Sequence, residues 1–239
     1  MPSFKSRSDK KELLDRDDLQ FKDIRINMQE LDFINTHLGG HRITMKGVKS
    51  FLPYFPKDEV LRITEIGSGG GDNLRVIRDW ATKQQLQVQL CGIDISPECV
   101  QYAKSLQRNH GIDFIHSDYS RVMFEKKPHI IFSSLFAHHF TNDALVFMMR
   151  WMRVNSLFGF FINDLHRHPA AYYSIKWLSA AFSKSYLVKN DAPLSVLRGF
   201  TQKEWQNIFK QAGIVKFQCN WQWAFRWLLI YQDVNKDQP

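Results

Sequence analysis

The stretch "ITEIGSGGGDNLRVI", residues 63–77, decides the fold of this chain. It closes a β-branched run, "VLRITEI", that suits a buried strand. Gly67, Gly69, Gly70 and Gly71 follow, and then Leu74 and Ile77 recur at helical spacing. A strand, a glycine turn and a helix place backbone N–H groups at a helix N-terminus, beside a bound nucleotide. The dinucleotide fingerprint needs a glycine where Asp72 stands, and no Lys-Ser/Thr follows to make a P-loop. Glu65 and Asp72 flank the turn, where two carboxylates repel a pyrophosphate and welcome an ammonium group.

Outward from this loop, helix and strand alternate. Strands are expected at "VQLCGID", "IDFIHSD", "HIIFSSL" and "LFGFFIND". Helices are expected over about 73–82, from Ser96-Pro97, over 143–154 and over 169–183. Thr201 and Glu204 form a capping box for a helix ending near Gly213, and "IVKFQCNW" and "FRWLLIYQ" read as two last strands. The pattern predicts an α/β, Rossmann-like, doubly wound seven-stranded sheet, mostly parallel, with an antiparallel C-terminal pair. Residues 1–11 read as a frayed polar tail. Helices over Ile24–Leu38 and His41–Leu52 precede the sheet. They divide the chain into an N-terminal helical cap, 1–55, and a Rossmann-like domain, 56–239. Phe33, Phe51, Tyr54 and Phe55 are expected to cover an apolar acceptor pocket together with the 169–183 helix.

Composition narrows the class. The chain has 239 residues, 44% of them hydrophobic, enough for one large core. A net charge of +8 permits anionic partners, but the densest basic run, Lys5 to Lys11, is answered by Glu12, Asp15, Asp17 and Asp18. Three cysteines without a CxxC pair suggest reduced thiols and a cytoplasmic protein. No apolar run is long enough to span a bilayer.

S-adenosylmethionine carries an ammonium group, a sulfonium and no phosphate, so an acid-flanked glycine loop suits it better than NAD. "EIGSGGGD" resembles the first motif of the class I, Rossmann-like S-adenosylmethionine-dependent methyltransferases. The resemblance implies that the backbone of Gly67, Ser68 and Gly69 lies against the methionine part of the cofactor, with Glu65 beside it. Asp94 ends the second strand, next to Ile95, where a carboxylate can accept both ribose hydroxyls or cap the next helix. Asp118 matches the acid that receives the adenine amino group in that family, and Tyr119 can pack on the ring.

The acceptor belongs above the carboxyl ends of the strands, where "SSLFAHHFTND" and "NDLHRHPAAYYSIK" emerge. Phe136, His138, His168, Tyr172 and Tyr173, with His41 from the second helix, are expected to bind substrate. His139 is the first choice of base, on the resemblance, and His166 the second, oriented by Asp164. A metal site lacks a clean carboxylate set in this spacing. Together with "PLSVLRGFTQKEW" and "MQELDFINTHLGGH", these loops look like the ubiquinone/menaquinone-type and type III polyketide synthase-associated methyltransferases. That resemblance implies O-methylation of a small aromatic or polyketide-derived hydroxyl compound by a monomer or homodimer. C-methylation of a quinone precursor and non-catalytic cofactor binding stay open. Nucleic-acid methylation is disfavoured, because neither an N/D-P-P-Y/F motif nor a Pro-Cys pair is present. One departure from the family is His129, where the fourth strand often begins with Asp.

Overall fold

A computed structural model describes residues 2–16, 19–56 and 59–233. Asp17 and Asp18, which the sequence sets against the basic run, lie outside the described residues, as do 234–239. Two helices come first, α1 (Phe21–His37) and α2 (Gly40–Lys49). Then follow β1 (Leu61–Ile66), α3 (Asp72–Lys83), β2 (Val88–Asp94), α4 (Pro97–Ser105), β3 (Ile112–His116) and β4 (Ile130–Ser134). After these come α5 (Asn142–Asn155), β5 (Gly159–Leu165), α6 (Pro169–Phe182), α7 (Tyr186–Arg198) and α8 (Gln202–Gln211). β6 (Gln218–Gln222) and β7 (Arg226–Gln232) close the sheet.

The seven strands lie in the order β3-β2-β1-β4-β5-β7-β6. β1 to β5 pair in parallel, and β7 runs antiparallel to both β5 and β6. The order reverses between β1 and β4, which opens a crevice at their carboxyl ends. One face of the sheet packs on Leu145, Met148 and Met152 of α5 and Trp205, Ile208 and Phe209 of α8. The other packs on Ile43 and Val48 of α2, Leu74 and Ile77 of α3, and Val100 and Ala103 of α4.

Several expectations need correction. The start of the chain is tied down. Arg7 donates to the backbone oxygens of His138, Phe140 and Arg198 at 2.8–3.0 Å, and Arg167 donates to Phe4 O. α2 is part of the sheet core, because a Cβ on its Gly47 would sit 2.5 Å from the Phe161 ring. Phe51 is fully buried there, Phe55 packs on His129 and Phe158, and Phe33 lies in the solvent against His37. None of these aromatics, nor Tyr54, lines the crevice. α7 has no counterpart in the sequence reading. Pro193 interrupts its pattern, yet buried Leu187, Val188 and Val196 hold it, and Ser185 caps it by accepting from Val188 N. β6 begins later than "IVKFQCNW" suggested. Gly213, at φ +76°, turns the chain so that Ile214 N closes on Phe209 O and Phe217 stacks on Phe209.

Candidate active site

A cavity of about 760 Å³ lies at the carboxyl ends of β1, β2 and β4. Its floor holds all the residues that the sequence assigned to the cofactor: Glu65, Gly67, Ser68, Gly69, Asp94, Ile95, Asp118 and Tyr119. Gly67 and Gly69 have φ of +69° and +49°, conformations that a side chain resists. A Cβ at Gly67 would fall 2.3 Å from the Phe136 ring, and at Gly69 it would meet Met28 Sδ at 3.1 Å. The loop therefore needs glycine for its turn and for the side chains laid over it.

The acids differ in their settings. Glu65 is buried. Asn73 Nδ2 donates to its Oε1 at 2.8 Å, while its Oε2 has no partner. Burial raises its pKa well above the usual carboxylate value, and Asp72 and Asp94 add to the effect. Asp94 accepts from Gly69 N at 2.8 Å and Ser96 N at 2.9 Å, so it ties the glycine loop to the start of α4. Burial pushes its pKa up against those bonds. Asp118 caps a short turn by accepting from Ser120 N, and Ile95 stands exposed at the rim. Tyr119 packs edge-on against Trp151 and Phe140.

The roof comes from the N-terminal segment. Leu14, Leu19, Ile24, Met28 and Leu31 face the cavity, with Phe147 of α5 opposite. β4 delivers Leu135 with φ +52°, a left-handed conformation that costs on the order of 1 kcal/mol and turns Phe136 over the loop.

His139 lines the cavity and His138 lies buried behind it. Asp15 Oδ1 is 2.9 Å from His139 Nδ1, and Asp164 Oδ1 is 2.8 Å from His138 Nδ1. The carboxylate of Glu12 stands between the other two nitrogens, 3.6 Å from His138 Nε2 and 3.8 Å from His139 Nε2. Burial pushes the Glu12 carboxyl up to about 7, although His139 and a bond from Ser195 draw it down. Burial also works against ionised Asp15 and Asp164, but their histidines outweigh it and both end below the usual value.

Among the described residues, two groups have metal-ligand reach: Glu12, His138 and His139, and Asp32, His41 and Asp72. Arginine already answers the acids in each. Arg198 Nε sits 3.8 Å from Glu12 Oε1, and Arg75 binds Asp32 at 2.6 Å. These fixed positive charges oppose a metal cation in the same place.

The remaining assignments separate from the cavity. Asp164 orients His138 and accepts from Phe136 N, so it does not serve His166. His166 points toward β6, where Trp221 Nε1 donates to its Nδ1 at 3.3 Å. His168 caps α6 and stacks on Phe225. Tyr172 packs on Phe4 and Tyr173. None of Asp164, His166, His168, Tyr172 and Tyr173 lines the cavity, and His41 instead sits beneath it, 2.8 Å from Asp72 Oδ2. Glu12, Asp15 and Asn73 were not foreseen. Only Asn73 had a local signal, because the first turn of α3 faces the end of β1.

Residues 63–155 match a family model described as a methyltransferase domain. No curated protein sequence matches the chain. Among solved structures, human N-acetylserotonin methyltransferase in complex with S-adenosylmethionine is 15% identical, with a TM-score of 0.59. The match covers 89% of this chain and 56% of that one, so the chain spans little more than half the human enzyme's length. The plantazolicin methyltransferase BamL, in complex with a triazolic desmethylPZN analogue and SAH, is 21% identical over 84% of this chain and 78% of its own, TM-score 0.59. The CMeT domain of the citrinin polyketide synthase is 14% identical over 85% of this chain and 51% of its own, TM-score 0.54. The family match begins on the strand, glycine loop and helix that open the nucleotide crossover and runs on through α5, so residues 63–155 match a methyltransferase domain, set in a sheet of Rossmann-like order.

Proposed function

We propose that the chain transfers a methyl group from S-adenosylmethionine to a hydroxyl oxygen of a small, aromatic or polyketide-derived molecule. The observation that carries this reading is the unpartnered Glu65 Oε2 in the floor of the cavity, beside a glycine loop with no room for side chains. A buried carboxylate oxygen without a donor is costly, and the cofactor's ammonium group supplies one. Asp94 and Asp118 have the chemistry to take its ribose and adenine ends. When bound, S-adenosylmethionine supplies an electrophilic methyl carbon.

The protein's part is to hold the acceptor, exclude water and take a proton. The apolar roof of Leu14, Leu19, Met28 and Phe147 suits an aromatic body. This keeps the N-terminal cover but limits it to α1 and the segment before it. His139 takes the hydroxyl proton at Nε2. Asp15 accepts from its Nδ1–H, which makes Nε2, 3.8 Å from the Glu12 carboxyl, the accepting nitrogen and stabilises the imidazolium that forms. Asp164 acts one step back, by holding His138 and the backbone of Phe136.

The test is transfer of labelled methyl to a panel of phenolic and enolic acceptors. His139→Ala should lower turnover on the order of 10² to 10⁴ while SAH binding persists. The loss should shrink at high pH, where a phenol of pKa near 10 ionises unaided. Product analysis that finds the label on carbon would replace O-methylation with C-methylation. Failure to bind SAH would end the reading altogether.

A further inference from the structure

Methyl transfer makes no use of α6. None of its residues lines the cavity, and its exposure is inverted. It buries Ala171 and Ser179 and presents large apolar groups to solvent. Tyr173, Trp177, Leu178 and Phe182 are exposed by 45, 73, 43 and 81%. They fall in two adjacent helical rows, Tyr173-Trp177-Ala181 and Ser174-Leu178-Phe182, so they form one outward face. The patch continues at the N-terminal end of α6. There His168 stacks on Phe225 at 5.2 Å, and the β6–β7 hairpin exposes Trp221 and Trp223 by 47 and 65%. An apolar face of this kind marks an interaction surface.

Charge identifies the occupant. From His166 to Asn190 the sequence holds Arg167, Lys176, Lys184 and Lys189 and not one Asp or Glu. The three lysines are exposed. Two acids approach from α1, and both are engaged: Glu30 accepts from Lys184 N, Ser185 N and Ser183 Oγ, and Asp23 accepts from the Tyr186 hydroxyl at 3.3 Å. A second copy on a two-fold axis would set this patch against itself, and the stretch 166–190 offers no Asp or Glu to meet its lysines. A flat anionic partner supplies the opposite charge. Tryptophan, tyrosine and lysine on one helix face are also the side chains that settle at a bilayer interface. No helix among the described residues is long and apolar enough to cross a membrane, so the contact is peripheral.

We propose that α6 and the adjoining hairpin seat the protein on an anionic lipid surface. The experiment is flotation of the full chain with phosphatidylcholine vesicles, with and without phosphatidylglycerol, at low and high salt. The protein should float with the anionic vesicles, with a blue shift of tryptophan emission, and be released by salt. Lys176→Gln and Lys184→Gln should each weaken binding roughly fivefold. Trp177→Ser with Phe182→Ser should abolish it while the thermal midpoint is unchanged, since both side chains are largely in solvent. Three results would overturn the proposal. They are no flotation, equal and salt-independent binding to neutral vesicles, and a wild-type dimer that the double variant dissolves without any vesicle binding.

Discussion

Replacing Gly67 by alanine tests the loop directly. Gly67 has φ +69°, and the new Cβ would lie 2.3 Å from Phe136, well inside van der Waals contact. Two costs separate. The left-handed backbone costs about 1–2 kcal/mol for a side chain, and the overlap with the ring about 1–3 kcal/mol, as overpacking does in cores. The sum, about 2–5 kcal/mol, is a large share of a domain's stability and corresponds to a fall in thermal midpoint of roughly 5–15 °C for a chain of this size. Phe136→Ala removes the ring, so in the double variant only the backbone cost remains. A cycle of wild type, Gly67→Ala, Phe136→Ala and the double variant, followed by urea denaturation, should give a coupling of about 1–3 kcal/mol that favours the double variant. SAH calorimetry should show binding lost in Gly67→Ala. An additive cycle, or a Gly67→Ala variant as stable as wild type, would refute the argument that Phe136 occupies the space beside the loop.

Three more outcomes are expected. The pKa of Glu65 is raised by burial and by its acidic neighbours, and only the ionised carboxylate attracts an ammonium group. SAH affinity should therefore rise with pH through that raised value, and Glu65→Gln should flatten the dependence in calorimetric titrations. His129 is buried, and its Nδ1 accepts from Arg62 N at 3.0 Å, so burial and then Arg62 depress its pKa from 6.5 to about 4. The unfolded chain binds this proton first, so the stability from a neutral His129 is whole above pH 6.5 and lost as pH falls toward 4, by at most about 3 kcal/mol. His129→Asn should remove that slope in denaturation curves, and an unchanged slope would assign it elsewhere. Asp15→Asn should lower turnover roughly tenfold to a hundredfold with SAH affinity intact, because it releases His139 Nδ1 without emptying the cavity. Full activity would show that His139 needs no partner.

The sequence by itself determined the sheet and the floor of the cavity. Glu65, the glycines and Asp94 follow directly from the ends of their own strands, so a period of two, a turn and a period of 3.6 are enough to set them side by side. The antiparallel last pair was legible for the same reason, since no helix separates β6 from β7. α7 was not legible, because Pro193 breaks the helical pattern and only tertiary burial of Leu187 and Val196 restores it. The sequence reads α2 as part of a cover, yet Gly47 lets it close against Phe161, a fit between distant segments that composition does not reveal. The histidines divide on the same principle. His139 can be singled out in sequence as the proposed base, but its partner Asp15 lies 124 positions away and Glu12 sits in an ordinary charged stretch. His166 looked equivalent in sequence. At the end of β5, Asp164 turns inward to His138, while His166 pairs with Phe225 O and faces β6. Local geometry is written in neighbouring residues. Which imidazole reaches the cavity depended on the packing of chain segments more than a hundred residues apart, and only the folded structure decides that.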